Sequence, residues 1–297
     1  MTENEYLEAI LLEQTLAPGS TELKELQERG EEVKKLLRGM SRNSVRVNEA
    51  GSKKKGTMIK VSYDLDITCY FPHEDDAIGE SLKEIYENVE GVLKENYKTT
   101  RKGSAIRLWD PTGKTDFHVD VVPGRFVDGK EGDVFLYRSS GDKERLKTNL
   151  DVHVAHVRDS GVVDAIRLAK LWRERNSIPI KTFALELLVI KILEKKKESK
   201  LSEQMLYLWG QLRENSVNLS IEDPANPTGN DLSELLTEGL RKQLSVAASR
   251  TTQTIEDTGW ESVFGSAQTD KAERAEALQH IAVATPILAK AKPWVNE

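Results

Sequence analysis

Nine residues, YDLDITCYF at positions 63–71, constrain the fold more than any other part of the chain. Side chains of a strand alternate between faces, so Leu65, Ile67, Cys69 and Phe71 fall on one side and Asp64, Asp66 and Thr68 on the other. A one-residue slip would bury both aspartates, so the apolar face fixes the register. The segment therefore reads as a strand in a sheet covered on one face, with two carboxylates held side by side on the other. The same parity in DFHVDVV, 116–122, sends Phe117, Val119 and Val121 inward and Asp116, His118 and Asp120 outward. If these strands are neighbours, Asp120 joins Asp64 and Asp66.

The hydrophobic period changes along the chain. Residues 1–40 read as two helices, the second carrying Leu23, Leu26, Val33, Leu36 and Leu37 at roughly helical spacing. SVRVNEA and SAIRLW are further strand candidates, the latter followed by the turn DPTGK, and residues 76–97 read as a long amphipathic helix. Beyond about residue 150 strand signals fade. SGVVDAIRLAKLWRERN, TFALELLVIKILEKKK, LSEQMLYLWGQLREN, DLSELLTEGLRKQL and residues 266–290 read as helices. The expected class is α+β: a small mixed sheet with flanking helices over residues 1–150, then a helical domain over 151–297.

Composition narrows the setting. The chain of 297 residues carries a net charge of −6, which disfavours strong binding to duplex nucleic acid. Cys69 is the only cysteine, so neither an internal disulfide nor a cysteine zinc site is available. The acidic start lacks the basic flank of a secretory signal, and no run reaches the roughly 18 apolar residues of a membrane span. A cytoplasmic location and no membrane partner are expected.

Three crowded carboxylates repel one another unless a cation sits among them. Mg²⁺ suits them, because it takes oxygen ligands and binds through carboxylates together with substrate phosphates, and two such ions can activate a hydroxyl and stabilise a leaving pyrophosphate. Just upstream, Gly51 and Ser52 follow a strand candidate, where glycine lets backbone N–H groups approach phosphate oxygens and the serine hydroxyl can donate as well. Carboxylates for a metal beside donors for phosphates suit a nucleoside triphosphate carrying Mg²⁺. Acid-x-acid triplets also arise by chance, and Glu74-Asp75-Asp76 and Glu131-Gly132-Asp133 are such decoys in turn-like surroundings.

GS at 51–52, DLD at 64–66 and the later HVDVVPGR resemble the nucleotidyltransferases of the DNA polymerase β superfamily. RLAKLWRER, TFALELLVIKIL and IEDPANPTGND resemble the helical domain of the 2′-5′-oligoadenylate synthetases and of the bacterial relatives of cyclic GMP-AMP synthase, the DncV-like CD-NTases. The resemblance spans about residues 45–236. It implies a polymerase β-like nucleotidyltransferase core followed by an oligoadenylate synthetase-like helical domain. It implies Asp64, Asp66 and Asp120 as catalytic and metal-binding residues, two Mg²⁺ ions (or Mn²⁺), and a phosphate-binding turn at Gly51 and Ser52. Lys170 matches a lysine that reaches the triphosphate, Thr182 stands where the family has serine, and Phe183 replaces a tyrosine that stacks on a base. The implied activity is template-independent condensation of nucleoside triphosphates, ATP among them, into a cyclic di- or oligonucleotide messenger of anti-phage signalling. A regulatory protein partner is compatible with it.

Each of these residues also has a plainer reading. Lys170 can be an exposed helix lysine, Thr182 an N-cap and Phe183 a core residue, while Lys53, Lys54 and Lys55 read as a solvated face. Glu186, alone in an oily run, reads as a buried ion-pair partner, His118 as a bystander beside the site, and PANPTGN as a structural loop in the pocket wall followed by a capping box in DLSE. The rival functions are a tail-adding or linear oligoadenylate-forming nucleotidyltransferase and a catalytically dead scaffold. FALELL and DPANPTGN disfavour tail addition, and an intact aspartate trio disfavours the scaffold.

Overall fold

The computed structural model describes residues 1–41, 45–110, 118–130, 132–139, 144–228, 230 and 232–267. Asp116, Phe117, Glu131, Asp231, most of the DPTGK turn and nearly all of the helix expected over 266–290 lie outside the described residues.

Among the described residues, seven strands form one mixed sheet: β1 (Arg46–Ala50), β2 (Leu65–Phe71), β3 (Lys98–Arg101), β4 (Ile106–Trp109), β5 (His118–Phe126), β6 (Val134–Tyr137) and β7 (Arg145–Thr148). Their order is β1-β2-β5-β4-β3, with β6 on β5 and β7 on β6. β2 and β5 run parallel, as the crossover between them requires, and every other pair is antiparallel. The alternation read from the sequence holds: Leu65, Ile67, Cys69, Phe71, Val119 and Val121 are all fully buried in one cluster. Helices α2 (Thr21–Arg38) and α4 (Leu82–Lys94) contribute to that cluster and cover the apolar face. The α2 backbone approaches β2 closely at Gly30, where an added methyl would lie 2.6 Å from Leu65 Cδ2.

The opposite face of the sheet meets the helical half of the chain, which comprises α5 (Leu150–Arg158), α6 (Val163–Arg175), α7 (Thr182–Ile192), α8 (Leu201–Asn215), α9 (Glu238–Thr258) and α10 (Glu261–Phe264). Their core is separate and large, built around Trp172, Trp209, Trp260 and Phe264 with the buried face of α7. The first helix, α1 (Glu3–Glu13), packs into this helical core through Tyr6, Leu7, Ile10 and Leu11. A short helix, α3 (Gly51–Lys55), leaves β1 toward α5 and stands between the halves.

Several boundaries differ from expectation for local reasons. The helix expected from residue 76 starts at Leu82, because Ser81 and Glu84 form a reciprocal capping box that defines its first turn. α9 starts at Glu238 rather than within DLSE, since Thr237 accepts from the Leu240 amide as its N-cap. Among the described residues no helix is long and apolar enough to cross a membrane.

Candidate active site

The residues quoted from the sequence line one cavity of about 680 Å³ between the polar sheet face and the helical half. Asp64, Asp66, Asp120, Gly51, Ser52, Lys170, Thr182 and Phe183 all border it. The carboxylates meet there because of register: Asp66 pairs with Asp120 across the parallel β2–β5 ladder, and Ala50 pairs with Asp66 on the other side. Asp120 thus shares the face of Asp64 and Asp66.

Gly51 is required twice over. Its φ of +65° suits a residue without Cβ, and an added Cβ would stand 1.6 Å from Asp66 Oδ2. The backbone that begins α3 therefore lies directly against one of the carboxylates. Ser52 Oγ is buried at the cavity wall with no hydrogen-bond partner among the described residues, an uncommon state for a hydroxyl and one that a bound acceptor would relieve.

The three acids are not equivalent. Burial would raise the Asp64 carboxyl, but the hydrogen bond and charge of His118, with Lys170 and Arg107, hold it below the ordinary carboxylate range. Asp66 is pushed up to about 7 by burial, and further by the negative charges of Asp64 and Asp120. Asp120 is gripped by Arg107 on β4, Nε to Oδ1 at 2.8 Å and Nη2 to Oδ2 at 2.7 Å. Asp64, His118 and Asp120 each offer one donor atom, all within 4.8 Å of one another. His118 Nε2 lies 3.4 Å from Asp64 Oδ2, so this histidine is more than a neighbour on the strand.

Charge crowding of this kind, mostly on oxygen donors, fits a hard divalent cation. A cation among the acids would offset the repulsion from Asp64 and Asp120 that adds to burial in raising the Asp66 carboxyl. The fit rests on the donor set and on the raised Asp66 carboxyl, both properties of the chain itself.

The cations of the α3 segment are mostly committed. Lys53 pairs with Glu49 at 2.8 Å, Lys54 with Asp151 at 3.1 Å, and Lys55 with Glu186 at 2.7 Å. Glu186, fully buried on α7, also accepts from Thr57 Oγ1 at 2.7 Å, so it is the buried ion-pair partner expected from its place in an apolar run. Lys170 is buried rather than exposed, and its ammonium donates to the Thr57 carbonyl at 2.8 Å. Burial lowers its pKa, opposed by the charges of Glu186 and Asp64. Thr182 opens α7, but Lys181 is the capping position and the Thr182 hydroxyl accepts from Arg173 at 2.8 Å.

Phe183 is half-buried, with Lys55 Nζ 5.2 Å above its ring and the His153 ring 4.5 Å away. His153 is fixed by Asp223, Nε2 to Oδ1 at 2.6 Å, and Asp223 also accepts from the Ala225 amide at 2.9 Å and from the Asn230 side chain. The loop EDPANPTGN thus contributes Asp223 and Asn230 to the cavity wall, where they brace His153.

Three contributors were not singled out from sequence. Arg107 had a signal, because strand parity in SAIRLW places it opposite Ile106 and Leu108. Lys55 was hidden in a run of three lysines, and His153 carried no local signal at all.

No protein-family model and no curated protein matches the chain. Solved structures do. It is similar to E. coli MS115-1 CdnC with ATP at 18% identity and a TM-score of 0.68, over 90% of this chain and 98% of that one. It is similar to the Bradyrhizobium diazoefficiens CD-NTase CdnG in complex with GTP at 14% identity and a TM-score of 0.67, over 94% and 97%. Vibrio cholerae DncV, a cyclic AMP-GMP synthase in complex with nonhydrolyzable GTP, matches at 18% identity and a TM-score of 0.60, over 96% and 80%. Across nearly its whole length, the chain has the polymerase β-like nucleotidyltransferase fold of the CD-NTases.

Proposed function

We propose that this protein is a template-independent nucleotidyltransferase that condenses nucleoside triphosphates into a cyclic di- or oligonucleotide with release of pyrophosphate. One observation carries the reading: Asp64, Asp66 and Asp120 share one face of the sheet, against a glycine turn whose serine hydroxyl has no partner, at the wall of a cavity of nucleotide dimensions. The structures of similar fold with ATP or GTP support it.

In the reaction, a ribose hydroxyl oxygen forms a bond to the α-phosphorus, the bond from that phosphorus to the bridging oxygen of pyrophosphate breaks, and the hydroxyl proton leaves. Two Mg²⁺ ions, or Mn²⁺, held by Asp64, Asp66 and Asp120 would supply the charge stabilisation for attack and departure. Asp120 stands toward the acceptor and takes the proton. Ser52 and the backbone at Gly51 hold phosphate oxygens, Lys170 and the Thr182 hydroxyl balance the triphosphate, and Phe183 offers a ring face to a base. A phenylalanine supplies that face without a hydroxyl, so base preference is set elsewhere in the wall, where His153 lies against the Phe183 ring and Asn230 also lines the cavity.

The nucleotidyltransferase core of residues 1–150 supplies the acids, and the helical domain of 151–297 supplies Lys170, Thr182 and Phe183. The cellular role that follows is a cytoplasmic messenger synthase in bacterial anti-phage signalling, with a regulatory protein as a compatible partner. One similar structure is the E. coli MS115-1 CdnC:HORMA-deltaN complex.

The test is direct. Purified protein is incubated with the four labelled triphosphates and Mg²⁺ or Mn²⁺, and the products are treated with phosphatase and weighed by mass spectrometry. Phosphatase-resistant cyclic products are expected, and they vanish in a protein carrying both Asp64→Asn and Asp66→Asn. Linear, phosphatase-sensitive tails on an added RNA would favour the tail-adding alternative instead.

A further inference from the structure

Counter-charges are distributed unevenly over the three acids. Asp64 has His118 beside it, and no side chain among the described residues donates a hydrogen bond to Asp66. Asp120, by contrast, has one arginine donating to both of its oxygens. Arg107 is its register partner on the adjoining antiparallel strand and meets both carboxylate oxygens in a planar fork. The guanidinium is itself braced, with its carbon 5.7 Å from the Trp109 ring centre. Trp109 in turn donates to Thr100 Oγ1 at 2.9 Å and packs 5.6 Å from the His118 ring. A cation on a rigid strand is thus already seated on the carboxylate that a metal would need.

A carboxylate offers about four lone-pair sites, and a bidentate arginine occupies two of them in the plane. A divalent ion taking the remaining sites of Asp120 would sit close to a permanently charged guanidinium, and the two would repel. We propose that Arg107 is a positioning residue acting as a built-in countercation: it keeps Asp120 oriented and charge-balanced, and yields the carboxylate when a nucleotide brings its divalent ion. The inference rests on the nucleotidyltransferase reading, since only a triphosphate substrate brings the ion together with anionic groups that give the released guanidinium a new partner. Metal and nucleotide then favour each other's binding through one side chain, by linkage.

The probe is Mn²⁺ without nucleotide, followed by the electron paramagnetic resonance signal of the free ion. Arg107→Gln binds Mn²⁺ more tightly than the parent protein, by about tenfold or more, the scale set by freeing a charge-assisted bidentate contact. Arg107→Lys keeps the charge and loses the fork, so it binds more tightly by a smaller factor, and it carries the test if the glutamine variant does not fold. Equal or weaker Mn²⁺ binding in the folded variants overturns the inference, because an arginine that merely propped Asp120 would loosen the site when lost. That result leaves the proposed function standing if the parent protein still makes product. A parent protein that makes no product from any triphosphate overturns the functional reading and this inference together.

Discussion

Replacing Gly51 by alanine tests how tightly the phosphate turn and the acids are built together. The position has a φ of +65°, which costs a residue with a Cβ about 1–2 kcal/mol. The new Cβ would also fall 1.6 Å from Asp66 Oδ2, so either the Asp66 side chain or the start of α3 has to move. Overpacking of this sort costs about 1–3 kcal/mol. The sum is about 2–5 kcal/mol, or a fall in Tm of about 4–10 °C at ~2 °C per kcal/mol for a chain of this size. Catalysis suffers more than stability, since a displacement of about 1 Å at a reacting centre costs about a hundredfold. Gly210→Ala is the control: it lies in α8 with nothing within 4 Å of the added methyl, and it is expected to gain up to ~1 kcal/mol from helix propensity. Thermal unfolding by circular dichroism and a pyrophosphate-release assay read both effects. Gly51→Ala with unchanged Tm and full turnover would refute the reasoning.

Three further outcomes follow from the same contacts. Asp66 is raised from 3.8 to about 7, so between those values the unfolded chain has released a proton that the folded chain keeps. The contribution of Asp66 to the stability of the metal-free protein is therefore present below about pH 4 and is lost as pH rises toward 7, a few kcal/mol at most, on the order of 1.4 kcal/mol per unit. Asp66→Asn removes that loss, and urea titrations in chelator at pH 5 and pH 8 check it; a variant no more stable than the parent at pH 8 contradicts it. Glu186→Gln leaves Lys55 buried without a counter-charge and costs about 3–5 kcal/mol, whereas Lys55→Met with Glu186→Leu costs much less, as a double-mutant cycle by denaturant unfolding would measure. The exposed Lys54–Asp151 pair contributes under ~1 kcal/mol, so Asp151→Ala should unfold within that margin of the parent, and a larger loss would show that α3 depends on it.

The parts of the site legible in the sequence were those with a short-range period. Strand parity placed Asp64, Asp66 and Asp120 on one face because apolar partners at every second residue pin the register of β2 and β5. The lone acid in FALELL read as a buried ion pair because nothing else tolerates a carboxylate there, and Lys55 and Thr57 supply what it needs. β3, β6 and β7, four residues each, went unseen: KTTR, VFLY and RLKT are too short to establish a period, and they become strands by pairing with β4 and β5 or with each other. α5 was missed for a related reason, since LDVHVAHVR alternates like a strand while its Asn149 cap and its packing on α3 and α7 make it a helix. His153 therefore went unnoticed until tertiary packing brought Asp223 and Phe183 to it.

Anomalous diffraction from crystals soaked with Mn²⁺ and a non-hydrolysable ATP analogue addresses the trio of acids without reference to turnover. The expected result is two anomalous peaks about 3.5–4 Å apart, bounded by Asp64, Asp66 and Asp120, with the phosphates against Ser52. Peaks elsewhere, or an Asp120 carboxylate turned away from its two companions, would contradict the account.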